Sequence, residues 1–191
     1  MIKIAILGST NGSDLKYIFD AYHNKILDPK KVEISLIISN RKNAGILQKG
    51  IVEGISTKYV TSSGKTRDEY DSEISQICQD LGVHYILLIG YMRILTSEFV
   101  ETWRGKCVNI HPSLLPAFAG GMDLNVHQAV LDRGCKITGA TLMYIDEGAD
   151  TGPIINQTSL RIAEDETADS LKVRVQELEG GLLVSFLSSI S

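Results

Sequence analysis

The run IKIAIL at residues 2–7 is apolar but for Lys3 near its start, and a strand of that kind must be covered on both faces. HYILLIG at 84–90 is a second such run, and VEISLIIS at 32–39 reads as a strand between them. The segment after the first run, LKYIFDAYHN, has apolar residues at helical spacing. NRKNAGILQKG after VEISLIIS reads as loop and short helix. TRDEYDSEISQICQDLG at 66–82 places Tyr70, Ile74, Ile77, Cys78 and Leu81 on one helical stripe and stops at Gly82. TKYVT at 57–61 and CVNI at 107–110 are further strands, with a short helix, SEFVETW, at 97–103. This alternation predicts an α/β fold: a doubly wound, mostly parallel twisted sheet of about seven strands with a Rossmann-like N-terminal half. LNVHQAVLDRG at 124–134 reads as one more helix. GATLMYI and GPIINQTSLRI are joined only by DEGADT, a hairpin or near-hairpin connection that predicts an antiparallel strand near the C-terminus. TADSLKVRVQELEGGLLVSFLSSI closes the chain as a helix weakened in its middle by Gly180-Gly181.

A chain of 191 residues that is 43% hydrophobic can bury one core in one domain. Its net charge of −4 argues against nonspecific nucleic-acid binding, and no apolar run approaches the ~20 residues of a membrane span. Cys78, Cys107 and Cys135 are scattered without CxxC spacing and no signal peptide precedes them, which fits a reducing cytoplasm.

In doubly wound sheets, sites lie at the carboxyl ends of the strands. The irregular segments starting at Gly8, Gly90, Asn109 and Asp146 are therefore the candidates. LGSTNGSDL can present backbone amides to an anion at a helix N-terminus. It reads Gly8-x-x-x-Gly12 rather than GxGxxG, and Asn40-Arg41 stands after the second strand, so a dinucleotide is disfavoured. The plain alternative is a tight turn with Ser13 or Asp14 as a helix cap. Gly64-Lys65-Thr66 matches the end of a P-loop, but Tyr59 occupies the position of its first glycine. No HxH or HExxH spacing exists, so no metal is expected. His23 and His84 read as structural or solvent-facing.

CVNIHPSLLPAF differs from these. Asn109 and His111 point to the same side of a strand end, and an amide donor beside an imidazole suits a developing oxyanion. DEGADTGP offers three carboxylates. It is either a solvated turn or the source of a carboxylate that orients His111.

NIHPSLLPAF, followed by DEGADTGPII, in a chain beginning GSTNGSDL, resembles the glycinamide ribonucleotide transformylases, the phosphoribosylglycinamide formyltransferases of purine biosynthesis. The likeness covers nearly the whole chain. Methionyl-tRNA formyltransferases and formyltetrahydrofolate deformylases share the string but carry additional domains, which are not expected here. The expectation is one formyltransferase domain over 1–191, with a phosphate-binding half at 1–105 and a catalytic, folate-binding half at 106–191.

The resemblance implies formyl transfer from 10-formyltetrahydrofolate, without a metal, to a ribonucleotide amine. Asn109, His111 and Asp150 would be catalytic. Asn11, Gly12, Ser13, Asp14, Met92, Pro112 and Glu179 would face the ribonucleotide. Arg67, Leu88, Arg93, Ile94, Leu95, Asp146 and Glu147 would face the folate, together with Asn109 and Asp150. Partners would be these small molecules only, with no nucleic acid and no membrane, in a cytoplasmic monomer or homodimer. Formylfolate hydrolysis, transfer to another amine, and a catalytically idle binding module stay open. The chain also departs from the family. Asp14 stands where asparagine is usual, and Met143 replaces a histidine. The loop AFAGGMDLNVH is longer than usual, which leaves His127 as the match to a loop histidine. Gly180-Gly181 replaces a Glu-His continuation, so a differently bent C-terminal helix is expected.

Overall fold

A computed structural model of the chain describes residues 1–121 and 124–191. The apolar runs form β1 (Ile2–Leu7), β2 (Val32–Ser39), β4 (Tyr85–Leu88) and β5 (Cys107–His111), and the short β3 (Thr57–Tyr59) flanks β2. With β6 (Ile137–Tyr144) and β7 (Ile154–Arg161) they make one sheet in the order β3-β2-β1-β4-β5-β6-β7. Strands β1 to β5 are mutually parallel. β6 runs antiparallel to both of its neighbours, so it alone is reversed. Strand order reverses between β1 and β4, and a crevice opens at such a point outside the carboxyl ends.

Among the described residues, six helices cover the two faces: α1 (Leu15–His23), α2 (Gly45–Val52), α3 (Arg67–Asp80), α4 (Ser97–Thr102), α5 (Leu124–Asp132) and α6 (Ala168–Ser189). On one face Ile4, Ile6 and Leu87 pack with Leu15, Ile18, Leu171, Val175 and Leu183. On the other, Ala5, Leu7, Ile86 and Leu88 meet Tyr70, Ile74, Cys78 and Phe99. Alternate residues of one strand thus enter opposite cores, which is why the runs show no polar face. The residues that suggested a P-loop start a helix instead: Thr66 caps α3, accepting from the Glu69 amide at 3.1 Å while Glu69 accepts from the Thr66 amide at 2.7 Å.

The closing helix carries Gly180-Gly181 in its middle. It runs unbroken for 22 residues through Gly180-Gly181. Gly180 is buried where Tyr17 of α1 packs, and a Cβ there would lie 2.2 Å from the Tyr17 Cγ. The glycine marks a close approach of α6 to α1.

Candidate active site

The carboxyl ends of β1, β4 and β5, the β6–β7 connection and one face of α6 enclose a cavity of about 610 Å³. Its first end is the loop after β1. Gly12 has φ +58, and a Cβ there would lie 2.5 Å from Ile46 Cγ1, so the loop lies flat on α2 only with glycine. Ser9 ties this loop to its neighbours: its hydroxyl donates to Asn40 Oδ1 at 2.7 Å and accepts from the Met92 amide at 2.9 Å. Asn40, at the position where an acidic residue would read a dinucleotide ribose, is therefore a strut between strand ends.

Asp14 does not cap α1. Its φ and ψ of −73 and −17 are helical, whereas a capping side chain needs extended backbone, and no cap hydrogen bond forms. It is 8% exposed, and burial pushes its carboxyl up to about 6 against the pull of Lys49 and Lys172. A raised carboxyl pKa destabilises the folded state above that pKa and is neutral below the unfolded value. Asp14→Asn is therefore expected to stabilise the unliganded protein at pH 8 by about 1–2 kcal/mol and to have no such effect near pH 4. Thermal unfolding at the two pH values checks this.

The second end is the β4–α4 connection. Leu88, Met92, Arg93, Ile94 and Leu95 line it, with Ile94 69% exposed at the mouth. Asp71 of α3 holds this loop by accepting from the Thr96 amide at 2.8 Å. The Arg93 guanidinium lies 4.3 Å from the centre of the Tyr70 ring. Arg67, one turn earlier on α3, is exposed and does not line the cavity; the sequence placed it at the folate, and the structure leaves it on the surface.

Between the two ends stand Asn109, His111 and Asp150. The Asn109 amide donates to Asp150 Oδ1 at 3.3 Å, and His111 Nδ1 lies 3.2 Å from Asp150 Oδ2. The turn delivers Asp150 at φ +58, a conformation rare outside glycine but reached more easily by aspartate. Asp146 lines the cavity, yet one of its oxygens already accepts from the Gly148 amide and the Thr151 hydroxyl, which shape the turn. Glu147 is exposed at the rim.

Loop groups that sequence patterns do not mark complete the trio. His111 Nε2 lies 3.1 Å from the Phe118 carbonyl, and the Gly120 amide donates to Asp150 Oδ2 at 2.8 Å. The loop is pinned from beneath by Thr141, which donates to the Ser113 carbonyl at 2.7 Å and accepts from the Leu115 amide at 3.0 Å. Both ring nitrogens of His111 thus face acceptors, a neutral ring can donate to one, and the imidazolium suits both. Burial pushes the pKa down and outweighs the upward pull of Asp150 and the Phe118 carbonyl.

Pro112 and Met143 line the cavity beside the trio, and Met143 faces Asn109 across the β5–β6 ladder. His127 of α5 is buried on its wall. From α6 come Lys172, Gln176 and Glu179. Sequence reading had picked out Glu179 alone, although the three recur at i, i+4 and i+7, the spacing of one helix face. Met122 and Asp123, in the longer loop, lie outside the described residues.

A family model described as formyl transferase matches residues 2–187. The chain belongs to the formyl transferase family. It is 34% identical over 180 residues to a phosphoribosylglycinamide formyltransferase of Haemophilus influenzae, covering 94% of this chain and 82% of that one. It is 37% identical over 180 residues to a trifunctional purine biosynthetic protein adenosine-3 of Gallus gallus, covering 93% of this chain but only 17% of that protein. The chain thus spans about a sixth of the length of the trifunctional relatives it matches. Among solved structures, a glycinamide ribonucleotide transformylase of Symbiobacterium toebii superimposes with a TM-score of 0.90 at 28% identity, covering 98% of this chain and 86% of that one. A phosphoribosylglycinamide formyltransferase of Coxiella burnetii does so with a TM-score of 0.90 at 32% identity, covering 98% and 85%. The family match spans all seven strands, so the trio and both ends of the cavity fall within it.

Proposed function

We propose that this formyl transferase moves the formyl group of 10-formyltetrahydrofolate to the amine of N1-(5-phospho-D-ribosyl)glycinamide, a step of purine biosynthesis. The products are the N2-formyl compound and tetrahydrofolate. The observation that carries this reading is the position of Asn109, His111 and Asp150 midway in one cavity, between a glycine-bearing loop at a helix start and a wall of backbone and apolar groups. The loop suits a phosphate and the wall suits a pterin. The 34% identity to a relative named for this reaction supports the same pairing of substrates.

The ribonucleotide amine attacks the formyl carbon, whose carbonyl oxygen takes up negative charge. Asn109 Nδ2 and His111 Nε2 are the donors for that oxygen. His111 already directs Nε2 at a carbonyl oxygen, that of Phe118, and the formyl oxygen would replace it. Asp150, on Nδ1, fixes the ring and favours its charged form as the oxyanion appears. The carbon–nitrogen bond to the folate then breaks, and the proton given up by the amine passes to the folate nitrogen, with Asp150 placed to relay it through water. The cavity residues hold both substrates against this centre, so proximity contributes alongside charge stabilisation.

The test is a coupled assay with both substrates, following release of tetrahydrofolate. Release is expected only when the ribonucleotide is present. Equal release without it would replace this reading with formylfolate hydrolysis.

A further inference from the structure

At the ribonucleotide end of the cavity a carboxyl group stands where the proposed function requires an anion to bind. Asp14 lines the cavity beside Asn11, Gly12 and Ser13, and its Oδ1 is buried without a hydrogen-bond partner. A buried orphan oxygen is costly, and it persists where a ligand completes it. The charged groups that face Asp14 are Lys49 from α2 and Lys172 from α6. Lys49 is partly committed, donating to the Gly12 carbonyl at 3.1 Å. On α1, burial together with the charges of Glu177, Asp14 and Glu179 pushes the Tyr17 hydroxyl up, so it stays protonated near neutral pH. A phosphate dianion set against an ionised Asp14 would place like charges together in a site of low dielectric. A single proton between the two oxygens turns that repulsion into a short charge-assisted hydrogen bond.

Resting on the reading of this end as the ribonucleotide phosphate site, we infer that the phosphate binds together with one proton. That proton is held between Asp14 Oδ1 and a phosphate oxygen, with Lys49 and Lys172 as the balancing cations. Phosphate affinity then falls as pH rises. The sign follows from linkage. Burial leaves the free Asp14 carboxyl titrating near 6, and a bound phosphate raises it further. Below about 6 the proton is already present, and binding takes up none. Above it, affinity declines by up to tenfold per pH unit until the carboxyl of the complex itself ionises. A sugar phosphate has its own second ionisation at about 6, so above pH 7 the free ligand contributes no further change of charge.

The experiment is calorimetric titration of the full chain with ribose 5-phosphate, which has no amine to titrate. It is run across pH 6.5 to 8.5 in two buffers of different ionisation enthalpy. Uptake approaching one proton per ligand is expected near pH 7.5, with affinity falling across the range. Asp14→Asn keeps the shape and supplies a donor, and it is expected to bind with no uptake and a flat profile. Wild-type binding without proton uptake would overturn the inference, as would a variant that keeps the wild-type slope. If the coupled formyl-transfer assay succeeds in either of those cases, the inference alone falls. If ribose 5-phosphate fails to bind at millimolar concentration and the assay is also silent, the functional reading falls with it.

Discussion

Replacing His111 with alanine is expected to lower turnover about 10²–10³-fold while both substrates still bind, and Asn109→Ala is expected to behave alike. The two side chains would donate to a single oxygen that is charged only during reaction, so their loss should appear in kcat rather than in substrate affinity. The alternative is that His111 is a packing residue: it is only 3% exposed and is held at both nitrogens. Packing loss would lower stability and leave the turnover of the folded fraction intact. The measurement is therefore kcat together with the dissociation constants of both substrates, corrected for folded fraction by thermal unfolding. The two single variants act on one oxyanion, so the double variant should lose far less than the product of the single losses. A double variant equal to that product would mean that the residues do not share an oxygen. Near-normal turnover in either single variant would remove it from the mechanism.

The parts of this site that could be read in the sequence are those whose residue types conflict with their surroundings. IKIAIL and HYILLIG are legible as strands because burial on both faces confines polar residues to their starts, at Lys3 and His84. Asn109 and His111 stand out because a buried strand has no use for an amide and an imidazole at its end. Other parts carry no such mark. The Phe118 carbonyl and Gly120 amide at the trio are backbone groups that any residue would supply. Lys172 and Gln176 look like solvated helix positions until α6 is laid over the cavity mouth. Arg67 is ambiguous in the opposite direction, since a cation near a helix start reads alike whether it faces a ligand or water. Asp14 offers a cap in the sequence because aspartate is a common cap, and only the backbone dihedral shows that the helical geometry has already begun. Residue type was informative where burial made it improbable, and uninformative where a backbone or a surface would accept anything.

Gly180→Ala is expected to destabilise the protein by about 1–2 kcal/mol net, although alanine is the better helix former by ~1 kcal/mol. The sign is decided by what the new methyl group meets. A Cβ at 180 would lie 2.2 Å from Tyr17 Cγ, 2.4 Å from Cδ2 and 2.5 Å from Cβ. These atoms form the root of the side chain, fixed to α1, so no rotation of a flexible end relieves the collision and the helices must separate. Overpacking of this kind typically costs ~1–3 kcal/mol, more than the propensity gain returns. Chemical denaturation of Gly180→Ala, Tyr17→Ala and the double variant tests the assignment. Removing the ring should relieve the clash, so the double variant should be distinctly more stable than the sum of the single losses predicts. Additive losses would show that the two positions do not meet. The separation has a functional direction as well. α1 follows the Asn11–Asp14 loop, and α6 carries Lys172, Gln176 and Glu179 to the same end of the cavity. The wall proposed for the pterin, Leu88–Leu95, is built on β4 and held by α3 through Asp71, away from this contact. Gly180→Ala should therefore raise the KM for the ribonucleotide more than the KM for the folate. An equal rise in both would mean that α6 does not set the ribonucleotide end alone.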